Sequence, residues 1–404
     1  MKILKAVNTI LFTLLIAFLP FQLGKHFFLP FSYVNGIRVD LLSPTVYLLD
    51  IVVLLLAVIN IKEVIKFFTK KISVLFYILL VVNILLAKSP ILSVYGAVRL
   101  FEFLTIFALG KLLLKNISVI KVTTIFMWTG ILELGLGLSQ MILRKAIQGP
   151  FYFIGERLFD INTLGIAKAS LNGIDFLRPY GSFSHPNSLA GFYLLLYFFV
   201  LTNKNINKHI YLKFIALFVF SILVFISFSK IAILTYLVLN IFYLLKNKAS
   251  CKICNISKVA TSFVLSAIFM FAQTDLLTVD KRIELAKNSL SIIGKSPLFG
   301  VGIYNYLVAQ STFTSKYFLF FNQPVHNIFL LFVAEFGLLM TAFLIFKLVT
   351  KFNFKKITEA QLIIVLAIAM TGFFDHYWFT LMQNFFLLAV ILVISFQDRS
   401  LSGR

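Results

Sequence analysis

Apolar runs close to the thickness of a bilayer recur from one end of this 404-residue chain to the other, separated by short polar breaks that carry lysine. A stretch of about twenty apolar residues spans a bilayer as a helix, because in hydrocarbon every backbone N–H and C=O must be paired within its own segment. The chain therefore reads as an all-α integral membrane protein with about twelve transmembrane helices. They are expected near 7–23, 44–61, 72–88, 96–114, 119–143, 187–202, 211–226, 230–246, 259–275, 326–346, 358–374 and 379–396. Composition agrees: 60% of residues are hydrophobic and 13% charged, whereas soluble domains carry about a quarter charged residues. The first run, Val7 to Leu23, lacks a small-x-small cleavage site after it and reads as the first span rather than a signal peptide. No internal repeat or second soluble domain interrupts the pattern, so residues 1–404 are expected to form a single membrane domain.

The formal charge of +22 does not form one basic face. It is scattered through loop clusters, which fits loop lysines that orient spans and touch anionic headgroups, and argues against nucleic acid as a partner. With both termini in the cytoplasm, most of the 37 Lys and Arg residues fall on the cytoplasmic side. Those loops use lysine almost throughout, while Arg38, Arg99, Arg144, Arg157, Arg178 and Arg282 fall on the outer side or at its boundary. Arginine in place of lysine points to planar, bidentate recognition of an anion. This parity depends on reading Ser227 to Lys230 (SFSK) as a tight turn between the seventh and eighth spans. Two outer loops are long, about 144–186 and 276–325, and long loops are usually functional.

The chemistry-bearing residues gather in those loops. FLRPYGSFSHPNSLAGF places Arg178 at the membrane surface beside a Pro179–Gly181 turn, with Ser182, Ser184 and His185 close by. Anion binding and snorkelling to headgroups both fit such an arginine. KRIELAKNSLSIIGKSPLFGVG begins as an amphipathic helix with Ile283, Ala286, Leu290 and Ile293 on one face and Arg282 off it. Its FGVG is a turn, since no GKS or GKT accompanies it. His326 opens the next apolar run and is the side-chain type most often used as a general base; a hydrogen-bonded surface histidine fits equally. In GFFDHYWF, Asp375 and His376 stand beside Tyr377 and Trp378, which read as an interfacial aromatic belt. Asp50, Arg99, Glu102, Glu133 and Glu335 lie within spans, where charge is costly and tends to be functional. Arg99 and Glu102, three apart, are placed to pair, so Arg99 is open to two roles, structural lock or substrate contact. Lys230, at the start of the eighth span, is a further candidate anion contact. No DxD or acid cluster offers a Mg2+ site on the outer side, and the lone CKIC (Cys251, Cys254) lacks the two further ligands of a structural zinc site. No metal or cofactor is expected.

RPYGSFSHPNSLAGF, SFSKIAILTYL, the pattern from Arg282 to PLFGVG, and VHNIFLLFVAEFGLL together resemble the O-antigen ligase and O-antigen polymerase family of bacterial membrane glycosyltransferases. The resemblance covers roughly 178–339; one departure is Met340, where the family commonly has Gly. It implies a GT-C-like transferase in the cytoplasmic membrane that passes a glycan from an undecaprenyl-diphosphate-linked donor to a glycan or lipid-glycan acceptor, alongside other polysaccharide-assembly proteins. Carried onto this chain, Arg178 and Arg282 would grip the diphosphate and His326 would activate the acceptor hydroxyl. A transporter or flippase for lipid-linked glycans is the alternative, and an envelope scaffold a third. Transporters usually show paired broken helices near the midplane, a pattern this sequence lacks.

Overall fold

The structure is a computed structural model that describes residues 2–171, 173–246, 260, 262–267, 269–271, 278–314, 322–351 and 353–397. Cys251, Cys254 and part of the expected ninth span (259, 261, 268 and 272–275) lie outside the described residues. The first half runs α1 (Lys2–Phe18), α2 (Leu48–Ile59), α3 (Ile61–Lys70), α4 (Val74–Leu85), α5 (Pro90–Ala108), α6 (Gly110–Asn116) and α7 (Val119–Leu143). The second half runs α8 (Pro186–Thr202), α9 (Ile210–Ile226), α10 (Lys230–Lys246), α11 (Thr278–Lys295), α12 (Tyr306–Gln310), α13 (Ile328–Lys351), α14 (Glu359–Gly372), α15 (Tyr377–Thr380) and α16 (Met382–Gln397). The protein is a mostly helical membrane protein. Its loops also contain three antiparallel two-stranded sheets: β1 (Gly24–His26) with β4 (Thr45–Tyr47), β2 (Tyr33–Val34) with β3 (Ile37–Arg38), and β5 (Lys168–Leu171) with β6 (Ile174–Leu177).

Among the described residues, three helices, α5, α7 and α13, are long and apolar enough to cross a membrane by themselves, and α3 with α4 would make a fourth if that pair, bent by 92°, is one span. Other apolar helices are shorter, at 10–17 residues. The expected span at 96–114 is divided at Leu109 into α5 and α6.

α8 lies at the centre. Every residue from Pro186 to Val200 is buried, the signature of a helix that is hydrophobic on all faces and surrounded by neighbours. α7, α9, α14 and α16 pack around it in one continuous apolar cluster. Its N-terminus is set by sequence: His185 is extended, Pro186 occupies the first turn where no N–H is needed, and the His185 ring accepts the Asn187 N–H at 3.1 Å. Whatever projects from that first turn is held by the most buried element of the molecule.

α9 and α10 are separate helices. The break is Ser227–Ser229, with Phe228 at φ 52° and its ring buried against Ala169 and Phe269. α13 is also interrupted, at Gly337 (φ 75°, ψ 174°). There the PLFGVG loop docks on the bend through a short ladder: Val301 N–H to Ala334 O at 2.9 Å, Gly302 N–H to Glu335 O at 3.1 Å, and Leu338 N–H to Pro297 O at 2.8 Å. The Glu335 carboxylate accepts the N–H groups of Tyr304 at 2.9 Å and Tyr306 at 3.3 Å. This intramembrane acid therefore braces a loop. Met340 is buried beside Phe76, Leu80 and Phe336.

The α11 face is only partly the one expected: Ala286 and Ile293 pack against the core. Leu285, Ser289 and Ile292 are buried, while Ile283 and Leu290 are 48% and 59% exposed. The buried set follows the i, i+4, i+7 spacing of one helical face, and it is the face that α12 and α13 cover.

Candidate active site

Five stretches of the chain converge on the N-terminus of α8. The first is the RPYGS turn. Gln140 of α7 accepts the N–H groups of Tyr180 and Gly181, each at 2.9 Å. Two turns back, Glu133 accepts the Ser182 N–H at 3.0 Å and the Ser182 hydroxyl. Gly181, at φ 59°, fits because any Cβ there would lie 2.1 Å from a Glu133 oxygen. These contacts fix the backbone that carries Arg178. Its guanidinium donates through Nε to Ser227 O at 2.8 Å and through Nη2 to Asn187 Oδ1 at 2.6 Å. The SFSK turn thus supplies the carbonyl that orients Arg178. Nη1 makes no hydrogen bond among the described residues.

Asn187 donates its other end, Nδ2, to Asp375 Oδ2 at 2.8 Å. Asp375 Oδ1 lies 3.6 Å from His326 Nδ1 and accepts the His376 N–H at 2.8 Å. The rings of His326 and His376 are 5.2 Å apart, and His376 Nδ1 meets the Thr380 hydroxyl at 2.7 Å. Beside His326, Asn327 caps α13 by accepting the N–H groups of Phe329 and Leu330, and ties to Phe373 O at 3.0 Å. From α11, Arg282 reaches the same loop, with Nη1 3.4 Å from Phe374 O. Its Nε is buried without a partner.

Electrostatics give each group a defined state. Burial pushes the Arg178 guanidinium down to about 10, with Tyr180 and Asp375 opposing and Arg282 adding, so it remains charged at neutral pH. Burial alone would raise the Asp375 carboxyl, but the His326 contact, with His376 and the Arg282 guanidinium adding, outweighs it and holds it below the usual carboxylate range. Burial and Arg178 push His185 down to about 3; burial, with His326 and Arg282 adding and Asp375 opposing, pushes His376 down to about 4. Both are neutral at physiological pH. Two guanidiniums therefore face one carboxylate, and the balance favours an anionic ligand. His326, Asp375 and His376 could also hold a metal ion, since one ligand atom from each lies within 4.8 Å of the others; the two adjacent guanidiniums oppose a cation there.

Of the residues singled out in the sequence, the structure brings Arg178, Arg282 and His326 together. Lys230 is exposed, one residue past the turn that holds Arg178. Arg99 is elsewhere: it is 3% exposed, paired with Asp50 and with Glu102 at 3.0 Å, donating to Thr45 O and Tyr95 Oη, between the Tyr47 and Tyr95 rings. It ties α5 to α2 and β4, the structural one of its two readings. The interfacial reading of GFFDHYWF is corrected. Tyr377 and Trp378 are each 2% exposed, and the Trp378 indole donates to Thr371 at 2.8 Å. These rings are core that fixes Asp375 and His376 in the site. Asp375 and His376, which the sequence placed at an interfacial belt, belong to this cluster, and Asn187 is the member the sequence did not single out.

An α-helical membrane protein with a buried basic cluster around a His–Asp pair is the class that this arrangement defines. Residues 187–345 match the family described as O-antigen ligase. That stretch carries Asn187, Arg282 and His326 and is less than half of the chain. No curated protein matches the chain.

Proposed function

We propose that this protein transfers a glycan from an undecaprenyl-diphosphate-linked donor to a hydroxyl acceptor on the outer face of the cytoplasmic membrane. In this reading the chain spans about twelve times with both termini in the cytoplasm. The observation that carries it is the convergence of Arg178 and Arg282 on the His326–Asp375 pair. Breaking a glycosyl–phosphate bond puts negative charge on the leaving oxygen, and two fixed guanidiniums stabilise that charge where it develops. They fill the role a divalent cation takes in other transferases, so the reaction proceeds without metal. Asp375 orients and supports His326, which removes the acceptor's proton as its oxygen attacks the anomeric carbon. Attack opposite the diphosphate inverts that carbon. Lys230, at the edge of the cluster, adds a positive charge toward the lipid-borne phosphates.

Purified protein in detergent, given an undecaprenyl-diphosphate oligosaccharide from the source cell and EDTA, tests this directly. Wild type is expected to form product, with His326→Ala and Arg282→Ala each slower by about a hundredfold or more. Loss of wild-type product to EDTA would sink the metal-free mechanism. No product from wild type, together with movement of the intact donor across liposomes, would replace transfer by flipping.

A further inference from the structure

We infer that Asn187 is a positioning residue that keeps the anion-gripping Arg178 and the His326-orienting Asp375 apart, accepting from one and donating to the other; this rests on the transfer chemistry proposed above. A buried guanidinium and a buried carboxylate bracket one amide, at 2.6 Å and 2.8 Å. Only one orientation of that amide works, because the flipped one would turn NH2 toward the guanidinium and oxygen toward the carboxylate. A direct Arg178–Asp375 pair would be a strong bidentate contact and would consume both groups. With the neutral amide between them, Arg178 keeps Nη1 for a phosphate and Asp375 keeps Oδ1 toward His326. The amide cannot drift, since Pro186 fixes the first turn, the His185 ring accepts the Asn187 N–H, and α8 is buried from Pro186 to Val200.

The charged and titratable groups facing this contact are Arg178, Tyr180, His185, Arg282, His326, His376 and the Tyr377 hydroxyl. None of them can donate to Asp375 Oδ2 from the position of the Asn187 amide while also accepting from Arg178. Asn187→Asp replaces NH2 by oxygen at nearly constant shape. Two carboxyls then meet where donor met acceptor, and they share one proton. While the proton stays, its O–H does the amide's work; when it leaves, two carboxylates repel and Asp375 shifts.

The test is the pH profile of glycan transfer for wild type, Asn187→Asp and Asn187→Leu, each shown monodisperse in detergent. For Asn187→Asp we expect an alkaline limb absent from wild type, falling roughly tenfold per pH unit above the shared proton's pKa. Asn187→Leu should be slower by about a hundredfold at every pH. An Asn187→Asp profile that parallels wild type, or equal losses in both variants at every pH, overturns the inference while leaving wild-type transfer standing. Absence of wild-type transfer in the same assay overturns instead the reading on which it rests.

Discussion

His185 and His376 illustrate how much of this site is set one residue at a time. Each is a histidine kept neutral by burial among cationic groups. An unfolded chain would protonate both near pH 6.5. Between that value and the folded value of about 4 for His376, the unfolded state binds more protons, so stability rises with pH and falls as the solution is acidified. The melting temperature in detergent should therefore drop from neutral pH toward pH 4, and His376→Asn should flatten part of that drop. An unchanged slope would mean that His376 is already charged in the folded protein. The residue scale is also where the sequence was most and least legible. Arg178, Arg282 and His326 stood out because such side chains are rare in apolar surroundings. Asp375 and His376 did not, because the aromatic residues beside them looked the same whether they faced a headgroup layer or a core.

At the scale of elements, the PLFGVG loop and the bend in α13 form one unit. A Cβ on Gly337 would sit 2.3 Å from Leu298 O and 2.5 Å from Gly300 N, at a φ of 75° that side chains rarely adopt. Gly337→Ala should therefore destabilise the protein by about 2 kcal/mol or more, read as a lower melting temperature. Gly294 is the control. It lies inside α11 with nothing within 4 Å of its would-be Cβ, and Gly294→Ala should raise stability by up to about 1 kcal/mol. Equal effects would mean that the loop and the bend do not depend on each other. The turn character of FGVG could be read from its glycines. The kink opposite it could not, because Gly337 sits in an apolar run whose hydropathy is the same for a straight helix and a broken one. The α11 face was partly misread for a related reason: Ile283 and Leu290 are as apolar as Leu285 and Ile292, and only the position of α12 and α13 decides which pair is covered.

At the scale of the whole molecule, sidedness is the open variable that chemistry can read. Cys251 and Cys254 are the chain's two cysteines and lie in a loop that the lysine pattern assigns to the cytoplasm. A membrane-impermeant maleimide should label them in inside-out vesicles and not in intact spheroplasts; the reverse result would invert the second half and move KLVTKFNFKK outside. Membrane residence, helical class, the SFSK break and the arginine and histidine candidates were all legible in sequence alone. Each rests on a local property: run length against bilayer thickness, the two serines and lysine that interrupt an apolar run, or the donor geometry of a side chain. The tertiary structure alone decided which residues share the site. Asn187 and Asp375 are 188 positions apart, and their contact exists because α8 is packed on all sides, which fixes where its first turn points. It likewise assigned Glu335 and Arg99 to bracing, because a buried charge looks alike in sequence whether its partner is a substrate or a backbone N–H. Local patterning carries what depends on solvent, and packing carries what depends on which buried groups meet.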